Sequence, residues 1–286
     1  MLVRGMSDYT VTVHGAATSE KGVLYAAVAY YDGEAFSSVV MSESDVADDA
    51  NVTSNLLQKS VAFYDLWLSP RGSIYVCDDT GHVHMSTTGK TWKKQKIASK
   101  PLTVVWGFDD GNVYAAGSEG IVYRSDGKTW SKLSKPLGHP IANVRGSSPN
   151  DLYVCAEGGL LVHYDGKSWH EVGLSTDARL MALLVLSPKE VLVGGSGGAM
   201  FRGAGTKWKS LPTERVDVYA LASFAGDTYV GAGSKGVFRL GAKGLTKVKD
   251  TFAVYRLSSS AKHLTLAGEA DAVRFDGADW SGPTYS

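Results

Sequence analysis

The chain has 286 residues, 44% of them hydrophobic, and 29 basic residues balance 29 acidic ones, so no overall field draws it to nucleic acid or to an anionic membrane. No stretch approaches the ~18 consecutive apolar residues of a membrane-spanning helix, and the opening MLVRGMSDYTVTVHG lacks the apolar run of a secretory leader. A monomeric, cytoplasmic protein of one domain over 1–286 is expected, and its 33 glycines and 14 tyrosines point to many short strands joined by tight turns.

From about residue 8 to 60 the chain carries strand-like runs in GVLYAAVAYYDGEAFSSVVMS. An acidic insertion over 42–54 follows, with Glu43, Asp45, Asp48 and Asp49, and an outer strand is expected near 52–58. The insertion reads either as a solvated flap or as a contact for a basic partner. Beyond it, over 61–286, SIYVCDDTGHVHMSTTGKTW, NVYAAGSEGIVYRSDGKTW and DLYVCAEGGLLVHYDGKSW align almost without gaps. Weaker copies follow as EVLVGGSGGAMFRGAGTKW, DTYVGAGSKGVFRLGAKGL and HLTLAGEADAVRFDGADW. One small residue recurs in every copy, at Ala27, Cys77, Ala116, Cys155, Gly194, Gly231 and Ala267, with steps of 50, 39, 39, 39, 37 and 36 residues. That makes seven units.

Each unit reads as four short strands. In the third, TVVWG leads through FDDGN into VYAAG, SEG leads into IVYRS, and DGK turns the chain into TWSKL. Asp-Gly between strand-like runs is a strong hairpin signal, because glycine accepts the positive φ of the turn. Trp92, Trp130, Trp169, Trp208 and Trp280 are expected to open the fourth strand, so five of the seven tryptophans are repeat residues. A ~40-residue unit of four antiparallel strands, repeated, is the signature of a propeller blade. The fold class is therefore all-β, a seven-bladed β-propeller, closed so that no sheet edge is left open near the axis.

The phrases RSDGKTW, HYDGKSW and RFDGADW resemble the Asp-box turns of sialidase-like and photosystem II assembly factor-like bacterial propellers. The resemblance implies a propeller whose Asp-box residues staple the turn between outer strands, away from the usual binding face. STTGKTW and RGAGTKW lack the aspartate.

Candidates for chemistry each meet a structural reading. His82 and His84 share a strand face and could begin a metal site, yet no third ligand is suitably spaced, and His84 aligns with Tyr123, His163, Phe201 and Phe238 as a packing column. Cys77 and Cys155 fall two blades apart, on the order of 15 Å in a seven-fold ring and beyond the ~7 Å reach of a disulfide, so both are expected reduced and buried. Arg124, Arg202, Arg239 and Arg274 repeat with the blade and read as partners of nearby acids rather than as a sialidase arginine cluster. No catalytic residue, metal or cofactor is assigned.

The binding face of a propeller is built from the turns between second and third strands and from the links between blades. Here the turns supply Asp78, Asp79, Glu119, Glu157, Lys235, Glu269 and Asp271, and the links supply Lys100, His139, Arg179, Glu214 and Arg215. Acid and base on one rim suit a protein surface better than a phosphate polymer. Equivalent innermost positions hold Trp67, Trp106, Arg145 and Leu184; packing at the channel wall accounts for them, while tryptophan and arginine are also hot-spot residue types. The expected function is a non-enzymatic protein-binding scaffold, as an assembly factor or the partner of an effector. The alternative is a lectin-like propeller in which Tyr219 or Tyr255 stacks on a sugar, and an Asp-box glycoside hydrolase is the third reading.

Overall fold

The computed structural model describes residues 9–44 and 52–286. Among them twenty-eight strands form seven separate sheets, each of four consecutive antiparallel strands. The innermost strands are Thr10–Thr18, Phe63–Leu68, Leu102–Asp109, Ile141–Ser148, Leu180–Ser187, Ala220–Phe224 and Arg256–Ser259, one for each of blades 1 to 7. Each packs on the next around the ring, and the last packs on the first. The chain is a seven-bladed β-propeller. The helical element described is a short 3-10 turn, Ser196–Gly198, and among the described residues no helix is long and apolar enough to cross a membrane.

Position within the blade decides composition. Second strands such as Ile74–Asp78 are buried at every residue, as expected where a sheet is covered on both faces by neighbouring blades. Fourth strands are edges, and Lys93–Lys96 is exposed throughout with three lysines in KKQK; charged edges resist pairing with another chain. The small-residue column lies in the second strands and is buried in every blade. Its partner is the apolar residue that leads the inner strand of the next blade. A Cβ on Gly194 would come 2.3 Å from Val218 Cγ1, and one on Gly231 would come 2.9 Å from Val254 Cγ1.

Ring closure needs no exchanged strand, since blades 1 and 7 are each built from consecutive strands. The seam is held by Val13 N donating to Gly268 O and Glu269 O at 3.0 and 2.7 Å, by Ser258 Oγ to Ala16 O at 2.7 Å, and by Thr265 Oγ1 paired with Thr18 Oγ1 at 2.7 Å.

The repeated phrase is a turn with a fixed hydrogen-bond pattern. Asp126 Oδ1 accepts the amides of Lys128 and Thr129, Asp165 Oδ1 those of Lys167 and Ser168, and Asp276 Oδ1 those of Ala278 and Asp279, all at 2.8–2.9 Å. Gly127, between two of these groups, has φ +89, and a Cβ there would meet Asp110 O at 2.9 Å. Where the aspartate is missing in blade 2, Thr88 Oγ1 accepts Lys90 N at 3.2 Å and Ser86 Oγ accepts Gly89 N at 2.8 Å. Trp130, Trp169 and Trp280 open their strands, whereas Trp208 is second in Lys207–Ser210 and Trp92 precedes Lys93–Lys96. All five are partly exposed. Trp92 Nε1 donates to Leu56 O of blade 1 and Trp169 Nε1 to Leu133 O beside blade 3, so the indole clips its blade to the one before.

Blade 1 departs from the expected loop. Phe36–Ser44 and Val52–Lys59 pair as strands, with Ser42 opposite Ser54, Glu43 opposite Thr53 and Ser44 opposite Val52. The insertion placed at 42–54 is therefore ordered strand at both ends. Glu43 is buried and accepts Thr53 Oγ1 at 2.6 Å, which removes it from any acidic flap; Asp45, Asp48 and Asp49 lie outside the described residues.

Candidate functional site

In an antiparallel blade, the second-to-third turns and the links to the next blade lie at one end of the strands, so the rim residues share a face. Several of them tie a turn to the neighbouring link. Glu119, on the blade 3 turn, accepts Ser99 N at 2.8 Å and the hydroxyls of Ser99 and Tyr123. The Ser99 and Tyr123 hydroxyls hold its carboxyl down at about 2. Glu157 and Arg179 form an exposed ion pair at 3.4 Å across the same junction in blade 4, and His139 lies against Gly158. Lys100 is exposed, and Arg215 sits at an exposed tip with φ +60. Asp79 is half-buried, its Oδ1 lacks a hydrogen-bond partner, and burial raises its pKa.

Among the described residues no group of three His, Cys, Asp or Glu is placed to hold an ion, and the histidines of blade 2 are engaged by Asp78 and Thr80. His84 is buried beside Phe63, and its Nε2 pairs with Asp78 Oδ2 at 2.8 Å. Asp78 Oδ1 also accepts Thr80 N, Thr80 Oγ1 and His82 N. Burial pushes the Asp78 pKa up, and the bonds from His84, His82 and Thr80 outweigh it, leaving the carboxyl well below its ordinary range. The alignment of His163 with His84 is corrected by the register. His84 pairs across the sheet with Val76, one place from Cys77, whereas His163 pairs with Tyr153, two places from Cys155. His163 therefore belongs with the arginines. It bonds Asp151 at 2.6 Å, as Arg124 bonds Asn112, Arg202 pairs with Glu190 and Arg239 with Asp227. Arg274 instead donates to Gly22 O and Ser281 Oγ.

Cys77 and Cys155 are free and buried, and burial raises both thiols, Cys155 to about 12. Neither has the depressed pKa of a nucleophilic thiolate.

Trp67, Trp106 and Arg145 line a central channel of 960 Å³ bounded by the inner strands of all seven blades. They also pack on the second strands and on each other: within their own blades Trp67 lies 5.3 Å from Tyr75 and Trp106 stacks 6.1 Å from Tyr114, and between blades the Arg145 guanidinium sits 5.5 Å over Trp106. Leu184 lines the same channel.

The inner strands carry a further column that the repeat reading passed over. Blades 1 to 5 each bulge by one residue, at His14, Tyr64, Thr103, Ala142 and Met181. Tyr219 and Tyr255 hold the same place in blades 6 and 7, where their amides donate to Gly231 O and Ala267 O. Bulges re-aim side chains. The result is an aromatic arc over blades 6, 7, 1 and 2, with Tyr219 edge-on to Tyr255 at 5.1 Å and His14 edge-on to Tyr64 at 5.5 Å. Burial, and then Arg256, lowers the His14 pKa to about 4. The next residue in each blade is Gly15, Asp65, Val104, Asn143, Ala182, Ala220 or Arg256, which puts an acid and a base in the channel wall. Aligning the inner strands residue by residue would have exposed both columns in the sequence.

No protein-family model matches the chain, and no curated protein matches it. Solved structures do. Virginiamycin B lyase from Staphylococcus aureus, as a catalytically inactive variant with quinupristin, is similar at 13% identity and a TM-score of 0.74, over 96% of each chain. The WD40 β-propeller domain of Doa1 is similar at 11% identity and a TM-score of 0.76, over 93% of this chain and 95% of that one. YCF48 from Cyanidioschyzon merolae follows at 13% identity and a TM-score of 0.69, over 96% and 97%. These likenesses establish the propeller fold and nothing narrower.

Proposed function

We propose that the chain is a non-enzymatic scaffold that binds another protein through the rim of second-to-third turns and interblade links. One observation carries the reading. The rim from blade 2 to blade 6 presents Asp79, Lys100, His139, Glu157, Arg179 and Arg215, mixing acid and base and differing from blade to blade, on a ring whose opposite face repeats one turn. Such a surface offers charge complementarity to one partner and none to a uniformly charged polymer. YCF48, which shares the fold, has been solved bound to D1 peptide, and that precedent supports peptide or protein binding by a ring of this kind. The free, buried cysteines agree with a reducing compartment, here a bacterial cytoplasm. The narrower assignment to Asp-box propellers rests on the turns of Asp126, Asp165 and Asp276.

The test compares three proteins in affinity capture from the native host: the parent chain, a rim variant with His139, Glu157 and Arg179 changed to alanine, and an opposite-face variant with Lys90, Lys128 and Lys167 changed to alanine. The rim variant loses the partner and the lysine variant keeps it. The reverse pattern overturns the assignment and places binding on the Asp-box face.

A second reading has its own observation. Tyr219 and Tyr255 are half-buried and perpendicular, and Glu269 is near enough to help raise the Tyr255 pKa after burial. An aromatic platform beside a carboxylate suits a sugar. Binding on a glycan array that is lost in Tyr255→Ala, with protein capture unchanged, would favour the lectin reading.

A further inference from the structure

The channel holds two guanidiniums and, among the described residues, no carboxylate in an ion pair with either. Arg145 comes from blade 4 and Arg256 from blade 7, and both line the 960 Å³ space. Arg145 NH1 donates to Val144 O at 2.7 Å, and Arg256 NH1 donates to Tyr255 O at 3.4 Å. A guanidinium has five N–H donors, so each has most of them directed at no protein acceptor. Among the described residues neither is within ion-pairing distance of a carboxylate. The carboxylate nearest in the wall is Asp65, and its oxygens are engaged by backbone: Oδ1 accepts Leu66 N at 3.0 Å, and Oδ2 accepts Val105 N at 3.0 Å from the next blade. Asp65 is a staple between blades 2 and 3. Deep in the channel, then, two fixed positive charges face one negative charge that is structurally occupied.

The electrostatics agree with this proximity. Burial, with repulsion from Arg256, lowers Arg145 to about 10 although Asp65 pulls the other way. Asp65 itself is raised by burial, against the pull of Arg256 and Arg145. Asn143, on the same strand as Arg145, gives Nδ2 to Met181 O at 3.3 Å, while its buried Oδ1 has no partner. The remaining wall is mixed, with Trp67, Trp106 and Leu184 beside hydroxyl residues such as Thr103 and Ser258. A concave space of this volume, with apolar surface and convergent polar groups that can fix orientation, is the form of a small-molecule site. Its mouth, on the face opposite the rim, carries Lys21 and Arg71, while Glu20 there is held by Ala261 N at 3.0 Å.

We propose that the central channel binds a small organic carboxylate, with its anionic end held by Arg145 and Arg256 and its apolar body against Trp67, Trp106 and Leu184. The chemistry selects the class. One uncompensated positive charge matches a monoanion better than a phosphate dianion, and the planar guanidinium fork pairs with a carboxylate edge. The indoles of Trp67 and Trp106 and the Leu184 side chain favour a carboxylate with a hydrocarbon or aromatic body over acetate. The unpartnered Asn143 oxygen would accept a hydroxyl or N–H donor on that body. This site is separate from the rim and stands or falls without it.

The test is titration calorimetry, with tryptophan fluorescence in parallel because two of the seven indoles line the channel. The probes are phenylpropionate, its neutral amide phenylpropionamide, acetate and inorganic phosphate. Phenylpropionate should bind, with the amide and acetate each weaker by about tenfold or more, as loss of charge-assisted hydrogen bonds or of apolar contact entails. Arg145→Gln and Arg256→Gln should each weaken phenylpropionate by about tenfold or more at unchanged melting temperature. If either variant fails to fold, Leu184→Trp, which narrows the channel and keeps both arginines, decides in its place by blocking the probe. The proposal is overturned if phenylpropionate gives no signal at millimolar concentration, if the amide binds equally well, or if the folded variants bind unchanged. Tighter binding of phosphate would overturn the assignment to carboxylates.

Discussion

Two columns of residues run round the ring, paired across the same sheets, and they could hardly differ more. On the second strands stand Ala27, Cys77, Ala116, Cys155, Gly194, Gly231 and Ala267; opposite them on the innermost strands stand Gly15, Asp65, Val104, Asn143, Ala182, Ala220 and Arg256. The first column is small and buried throughout, because the apolar residue leading the next blade occupies the space a larger side chain would need. The second column ranges from glycine to arginine. Gly15 in it is itself held small, since a Cβ would come 2.5 Å from Leu66 N of the next blade, whereas Asp65, Asn143 and Arg256 reach the channel wall. The comparison teaches where this ring carries individual chemistry: the first column keeps a small residue in every blade, while the second changes from blade to blade and includes the charged Asp65 and Arg256.

The contrast can be broken or sharpened by substitution. The largest effect is expected at Asp78, a residue special to blade 2, buried and bonded to Thr80, His82 and His84. Asp78→Ala leaves these donors unpaired and should cost about 3–5 kcal/mol in chemical denaturation, as breaking a buried charged pair does. A loss below 1 kcal/mol would show that water replaces the carboxylate.

Next comes His14, at the bulge beside the variable column. Its pKa is about 4 in the fold, against 6.5 in the unfolded chain. Between those values the unfolded chain binds the proton and the folded chain does not, so this contribution is complete above pH 6.5 and is lost as pH falls. Stability should drop by up to about 3 kcal/mol from pH 6.5 to 4 on this account. His14→Gln should remove that part of the slope, and an unchanged profile would place His14 in contact with water.

Ala116→Leu probes the uniform column directly. Overpacking against the fully buried Ile141 and Val104 should cost roughly 1–3 kcal/mol. A neutral melt would mean that the next blade yields and that the column is not a size constraint.

The smallest effect belongs to the rim. Glu157→Ala with Arg179→Ala removes an exposed ion pair and should change stability by at most about 1 kcal/mol. Glu119→Ala should lower the melting temperature more than that pair, because Glu119 fastens Ser99 and Tyr123. Equal effects would mean that these bonds are not formed in solution.

The fold was readable because its determinants are local and repeated: a turn aspartate accepting two amides, a glycine with positive φ, a tryptophan beginning the next strand. The rim was readable too, since turns between strands fall at a known end of a blade. The channel was less so. Trp67, Trp106 and Arg145 stood out by type, whereas Asp65 and Arg256 emerge only when the inner strands are aligned residue by residue, and their meeting in one channel follows from ring closure. The register of His163 was legible too: it stands eight residues after Cys155, as Arg124 does after Ala116, whereas His84 and Tyr123 stand seven after Cys77 and Ala116, and the cross-strand pairing bears out the count. Glu43 was read as loop because acidic residues are usually solvated, whereas pairing with Val52–Lys59 buries it.

By itself the sequence determined the number of blades, the four-strand unit and the turns, because each follows from steric and hydrogen-bonding requirements met within about forty residues. Only the tertiary structure decided which residues meet across the ring. Arg145 and Arg256 are 111 positions apart in the chain, and closing seven blades around one axis is what puts both charges in a single channel.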